Sequence, residues 1–86
     1  MLSFSFQTAI ADVDRTVEGE PYRPALVLVL ELDEDFIRVI VPDEVLGEKR
    51  ELLAVDQTVK VLGEVRDSIY GSRHVASELQ IVAAIH

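Results

Sequence analysis

Leu2, Phe4 and Phe6 alternate with Ser3, Ser5 and Gln7 at the start of the chain, the period of a strand with one buried face. The apolar series then changes parity, carried on by Ala9, Ala11 and Val13, and a bulge or bend near Thr8–Ile10 accommodates such a shift. DRTVEGEPYRP follows, where Gly19 and two prolines predict a loop. ALVLVLEL at 25–32 and FIRVIV at 36–41 read as the second and third strands, joined through the acidic cluster DED at 33–35 as a hairpin and closed by Pro42. The stretch 42–57, PDEVLGEKRELLAVDQ, lacks clean alternation and predicts an irregular connection with a helical turn around Glu48–Leu53, beyond Gly47. Alternation returns in VKVLGEVR, with Val59, Val61, Gly63 and Val65 on one parity, and in HVASELQIV, with Val75, Leu79 and Ile81 opposing Glu78 and Gln80.

Five strand patterns with a helical or irregular connection between the third and fourth predict an all-β fold, a small five-stranded Greek-key barrel. At 86 residues the expected organisation is a single domain over 1–86, too small to hold a second core. Hydrophobic residues make up 49% of the chain, enough for burial to offset the entropy of ordering it. With no Cys, neither disulfides nor a thiolate metal site can supplement that core. The amino terminus carries no basic leader with a continuous apolar run, and ALVLVL at 25–30 is far too short to span a bilayer, so the expectation is a cytoplasmic protein without a membrane partner. Sixteen acidic against eight basic residues give a net charge of −8, which opposes long-range attraction to nucleic acid or anionic lipid.

The segment LLAVDQTVKVLGEVRDSIYGSRHVASELQIV resembles the end of the oligonucleotide/oligosaccharide-binding fold, the OB-fold, as it occurs in anticodon-binding and replication-protein-A-like domains. The matching pattern is D-x-x-V-x-V-x-G-x-V, here Asp56, Val59, Val61, Gly63 and Val65, followed by a small-plus-acidic element like Ala76-Ser77-Glu78. The resemblance implies a fold more than an activity, since this fold hosts many functions. Gly63 has its own physical reading: in a tightly curved barrel a residue without Cβ permits a bend or the close approach of a neighbouring strand.

OB-folds bind ligands across strands two and three, with the first–second and fourth–fifth strand loops closing on the site. In this chain those loops are expected at 14–23 and 66–74, which contain Arg15, Tyr22, Arg23, Arg66, Tyr70, Arg73 and His74, and with Arg38 of the third strand these are the candidate nucleic-acid-binding residues. Cations beside aromatics are the combination used to hold single strands. Tyr, Gly, Ser and Arg are also ordinary turn residues, and Asp14, Glu18 and Glu20 are placed to pair with the arginines of the first loop. A local basic patch survives an acidic total, because screening acts over roughly 8–10 Å at physiological salt.

The second and third strands are apolar on both parities, so one set must face outward. An aliphatic outer patch of Val27, Val29, Phe36 and Ile40 around Arg38 points to an interface with a protein partner or a second copy. Phe36 is the only candidate stacking residue on these strands, core or strand-end packing is the commoner role for Phe, and this shortage of aromatics favours protein association over base stacking. The Arg38 stem can cover apolar area while its head stays wet. Catalysis has little support: there is no P-loop, nucleophile elbow or dinucleotide motif, and His74 and His86 lack neighbouring ligands for a metal. The acidic groups at 33–36 and 42–44 read as solvated turns, so neither a metal nor a cofactor is expected. The sequence therefore predicts a non-catalytic binding or assembly module, acting through protein association or, alternatively, by weak direct binding of single-stranded DNA or RNA.

Overall fold

The computed structural model describes residues 2–14, 25–69 and 71–83. Five strands, β1 (Leu2–Asp14), β2 (Ala25–Leu32), β3 (Asp35–Pro42), β4 (Thr58–Ser68) and β5 (Gly71–Ala83), close into a barrel in the order β1-β2-β3-β5-β4. β3 and β5 run parallel, and the other neighbouring pairs are antiparallel. This is the Greek-key barrel expected from the strand pattern.

β1 belongs to both halves of the barrel. Leu2–Ala9 pair with β4 and Ile10–Asp14 with β2, and the register breaks between Ile10 and Asp12. The parity change in the sequence is this bulge, which falls slightly beyond the expected Thr8–Ile10. The Thr8 hydroxyl donates to the Glu31 carbonyl at 2.6 Å, fastening β1 to β2 just before the break.

Which parity of the doubly apolar strands faces inward is settled by the leucines. Leu26, Leu28 and Leu30 are fully buried with Val39 and Val41 of β3, Val59 and Val61 of β4, and Ile10 of β1. Burying each such side chain contributes roughly 1.5–3 kcal/mol. Among the described residues the buried side chains are all apolar.

The connection after β3 is helical, beginning before the expected Glu48–Leu53 and overlapping it. It comprises α1 (Asp43–Leu46) and a 3-10 turn over Gly47–Glu51. Pro42, at φ −62° and ψ 154°, ends the strand and precedes the first helical residue, while Gly47 at φ 50° breaks α1. Leu46 is fully buried and plugs the barrel, and Arg50 Nη2 reaches back to Asp43 Oδ1 at 2.7 Å. The chain re-enters the barrel through Gln57, whose side chain accepts from the Ala54 N–H at 2.9 Å and donates to the Leu52 carbonyl at 2.7 Å. Ile10 N–H donates to the Gln57 carbonyl and Asp56 N–H to the Ile10 carbonyl, both at 2.8 Å, so this turn is locked onto the β1 bulge.

The hairpins are tight. Leu32 pairs with Asp35 around Asp33–Glu34, with Asp33 at φ 51°, a conformation Asp tolerates. Ser68 pairs with Gly71, at φ 109°, so the fourth–fifth strand connection is far shorter than the expected 66–74. Arg66, Arg73 and His74 are therefore strand residues, each committed to one face. Gly63 lies opposite Ala76 at a second register break, where Ser77 is the extra residue and its hydroxyl donates to the Leu62 carbonyl at 3.3 Å.

Candidate nucleic-acid interface

Strand parity sorts the charged and aromatic side chains. With the leucines inside, the outer face of β2–β3 presents three register pairs: Val27 with Ile40, Val29 with Arg38, and Glu31 with Phe36. Phe36 is 64% exposed, so it is a surface aromatic and not a core residue. Val29 and Ile40 are half-buried. Val27 is different: at 2% exposure it is covered, and the open aliphatic surface is smaller than the sequence implied.

The parallel contact between β3 and β5 pairs Val39 with His74 and Ile40 with Val75. The preceding residue on each strand is an arginine, Arg38 and Arg73, and across the next ladder Arg73 is the register partner of Arg66 on β4. Val39 is a core residue, so Arg38 lies on the outer parity; Val61 and Val59 are core residues, so Arg66 does as well. Arg38, distant in sequence, thus joins the hairpin neighbours Arg66 and Arg73 in one row across β3, β5 and β4, beside Phe36. Spacing between adjacent strands is roughly 4.8 Å, close enough for the row to act as one patch of charge.

Carboxylates flank two members of the row, Arg38 and Arg66. Asp14 Oδ2 lies 3.8 Å from Arg38 Nη2, and the arginine side chain stays 64% exposed. Glu64 Oε2 lies 4.0 Å from Arg66 Nε, at the limit of an ion pair. Exposed pairs of this kind are worth about 0–1 kcal/mol, so they orient the guanidinium groups more than they neutralise them.

His74 is not part of this surface. Its ring packs on those of Phe4 and Phe6, with centroids 5.2 Å and 6.2 Å away, and Phe4 and Phe6 stack at 5.1 Å. Of the remaining candidates, Arg15, Tyr22, Arg23 and Tyr70 lie outside the described residues. The sequence groups Arg38 with Arg66 and Arg73 as candidate nucleic-acid contacts, but places Arg66 and Arg73 in a loop and Arg38 also in an aliphatic patch. What joins them is the β3–β5 register, a non-local pairing with no signature along the chain.

The architecture is that of the OB-fold: a closed five-stranded mixed barrel with a short helix between the third and fourth strands. Solved structures agree. The chain superposes on asparaginyl-tRNA synthetase from Pyrococcus horikoshii, with a TM-score of 0.76 at 16% identity, covering 98% of this chain and 20% of the synthetase. The same synthetase complexed with asparaginyl-adenylate matches with a TM-score of 0.74 at 17% identity, over 96% of this chain and 19% of that one. A chain of the S. pombe Stn1-ten1 complex matches with a TM-score of 0.72 at 14% identity, over 95% of this chain and 59% of that one. The chain thus spans about a fifth of the synthetase and less than two thirds of the Stn1-ten1 chain. At these identities the likeness defines the fold. No family model matches the sequence, and no characterised protein matches it at the sequence level.

Proposed function

We propose that this chain is a single, non-catalytic OB-fold module of the cytoplasm that binds single-stranded nucleic acid across β2, β3 and the start of β5. The observation that carries this reading is the row Arg38, Arg73 and Arg66 beside the exposed Phe36. Guanidinium groups fit phosphate oxygens in a rigid fork, and an exposed ring offers any base a stacking surface. The face is also the one on which OB-folds engage oligonucleotides. Among the solved structures that this fold resembles, a tRNA synthetase is named for an RNA substrate, which fits the same reading.

The net charge of −8 sets the character of the binding. Long-range repulsion slows encounter, while contact at the row is screened from distant carboxylates beyond roughly 8–10 Å. Weak, strongly salt-dependent binding follows.

Fluorescence anisotropy with labelled single-stranded DNA and RNA, at low and physiological salt, tests this. Saturable binding that weakens with salt, and that Arg38→Gln with Arg73→Gln reduces about tenfold or more, is the expected result. Absence of binding at low salt, or a double variant as tight as the parent, overturns it.

A second reading rests on the same face. Phe36, Val29 and Ile40 surround Arg38 with apolar area, which suits a protein partner or a second copy. It predicts concentration-dependent mass in sedimentation that Phe36→Glu abolishes; a monomer at all concentrations, and no partner lost with that variant, counts against it.

A further inference from the structure

Beyond Ile40 and Val75, β3 leaves β5 and passes through Pro42 into α1, and the space opened between them is a groove of about 850 Å³. Its walls are α1 with the following turn on one side and β4 and β5 on the other; Val45 and the outward Leu62 contribute apolar lining, with the edges of the largely buried Ala76 and Leu79 beneath. Among the described residues three cations line it, Lys49 from the turn and Lys60 and Arg66 from β4, against two carboxylates, Glu44 and Glu78. In a chain with twice as many acidic as basic residues, this inverts the overall balance. Glu64, between Arg66 and Lys60 on the same outer parity of β4, lies 4.0 Å from Arg66 and lines an adjoining depression that shares Leu62 and Ser77 with the groove.

Arg66 belongs to both features. It ends the arginine row on β4 and is the first cation of the groove. From it, Lys60 lies six residues down the same strand face, roughly 20 Å away at about 3.3 Å per residue. Arg38, Arg73, Arg66, Lys60 and Lys49 are five of the eight basic residues of the chain, and they fall in order along one path.

We infer that a bound single strand does not end at the β2–β3 face but turns at Arg66 and runs its phosphates along the groove between α1 and β4–β5, held by Lys60 and Lys49. The inference rests on the nucleic-acid reading above and adds the direction and length of the footprint. An aliphatic floor under a line of cations suits a flexible strand that presents phosphate to one wall and sugar or base to the other.

Oligonucleotide length separates this inference from the reading on which it rests. Probes of about 4 and about 12 nucleotides bracket the range of sites that one OB-fold occupies. With Lys49→Gln and Lys60→Gln combined, binding of the short probe is expected to stay at the parent value while the long probe binds more weakly. Its dependence of log K on log salt becomes shallower by about 1.4, since each neutralised phosphate contributes roughly 0.7. Arg38→Gln with Arg73→Gln weakens both probes. If the lysine variant binds both lengths like the parent while the arginine variant fails, the strand does not use the groove and the proposed function stands alone. If the lysine variant weakens both lengths equally, the lysines act as a general field and the path is wrong. If the parent binds neither probe at low salt, both proposals fall. If polyglutamate displaces the long probe from the parent more effectively than an unlabelled strand does, the groove is built for acidic protein segments, and the inference is overturned.

Discussion

Phe4 and Gly63 face each other across β1 and β4, and a Cβ added to Gly63 would sit 2.8 Å from Phe4 Cε2 and 2.8 Å from the Ala76 Cα, with the Val75 carbonyl closer still. Two of these obstacles are backbone, which cannot rotate aside. The glycine therefore lets β5 and the Phe4 ring approach β4 at the bulge, the close approach its place in the strand pattern suggested. Gly63→Ala is expected to cost about 1–3 kcal/mol or more, read as a lower denaturant midpoint, and Gly63→Val to leave little folded protein. An alanine variant as stable as the parent would mean that the bulge relaxes freely.

Leu28 is fully buried in the barrel core, whereas Leu52 is 60% exposed on the connection before β4. Leu28→Ala should destabilise by about 2–5 kcal/mol, and Leu52→Ala by no more than about 0.5 kcal/mol. Equal effects in chemical denaturation would contradict the inward assignment of the leucine parity.

Phe36 stands clear of the core, so Phe36→Ala separates binding from folding. Stability should change by less than about 0.5 kcal/mol. Loss of one stacked base weakens oligonucleotide binding by about 1–3 kcal/mol, a factor of roughly five to a hundred and fifty in the dissociation constant. Unchanged affinity would remove the ring from the site.

His74 gives the opposite result. Held against Phe4 and Phe6, it contributes to packing at one end of the barrel, and His74→Ala is expected to cost about 0.5–1.5 kcal/mol in stability. Strand affinity, measured well below the melting transition, should not move. A binding loss without a stability loss would return His74 to the surface site that the sequence suggested.

Gln57 holds the turn before β4 by two side-chain hydrogen bonds, to Ala54 and Leu52. Each contributes about 0.5–1.5 kcal/mol. Gln57→Ala should therefore lower stability by about 1–2 kcal/mol and speed hydrogen exchange at the Ala54 amide, leaving exchange at Val59 and Val61 governed by global unfolding.

The parts of this molecule legible in the sequence are those set by local chemistry. Alternation in Leu2–Gln7 and Val59–Val65, the turn residues Asp33 and Gly71, and the stop at Pro42 all act within a few residues of where they are read. The helical turn expected around Glu48–Leu53 overlaps the 3-10 turn at Gly47–Glu51, and what the sequence did not show is the preceding turn α1, which buries Leu46. β2 and β3 were ambiguous because both of their faces are apolar, and only closure of the barrel distinguishes Leu28 from Val29. Arg38, Arg66 and Arg73 were legible as candidate contacts, but the row they form was not. It depends on β3 meeting β5 at Val39 and His74, residues separated by the helical connection and the whole of β4.

That meeting is also the barrel's shortest seam. β3 and β5 share two register pairs, where β1 and β4 share eight. A cylinder breathes where it is least stitched, so transient opening should start between Ile40 and Val75, well before the rest of the fold lets go. Arg38 and Arg73 stand on the two lips of that gap. A ligand lying over both would act as a clasp, and its arrival would register as slowed exchange at the seam's own amides, with no change of shape. Occupancy and rigidity would then be one quantity, which links any partner of this protein to how long its barrel stays shut.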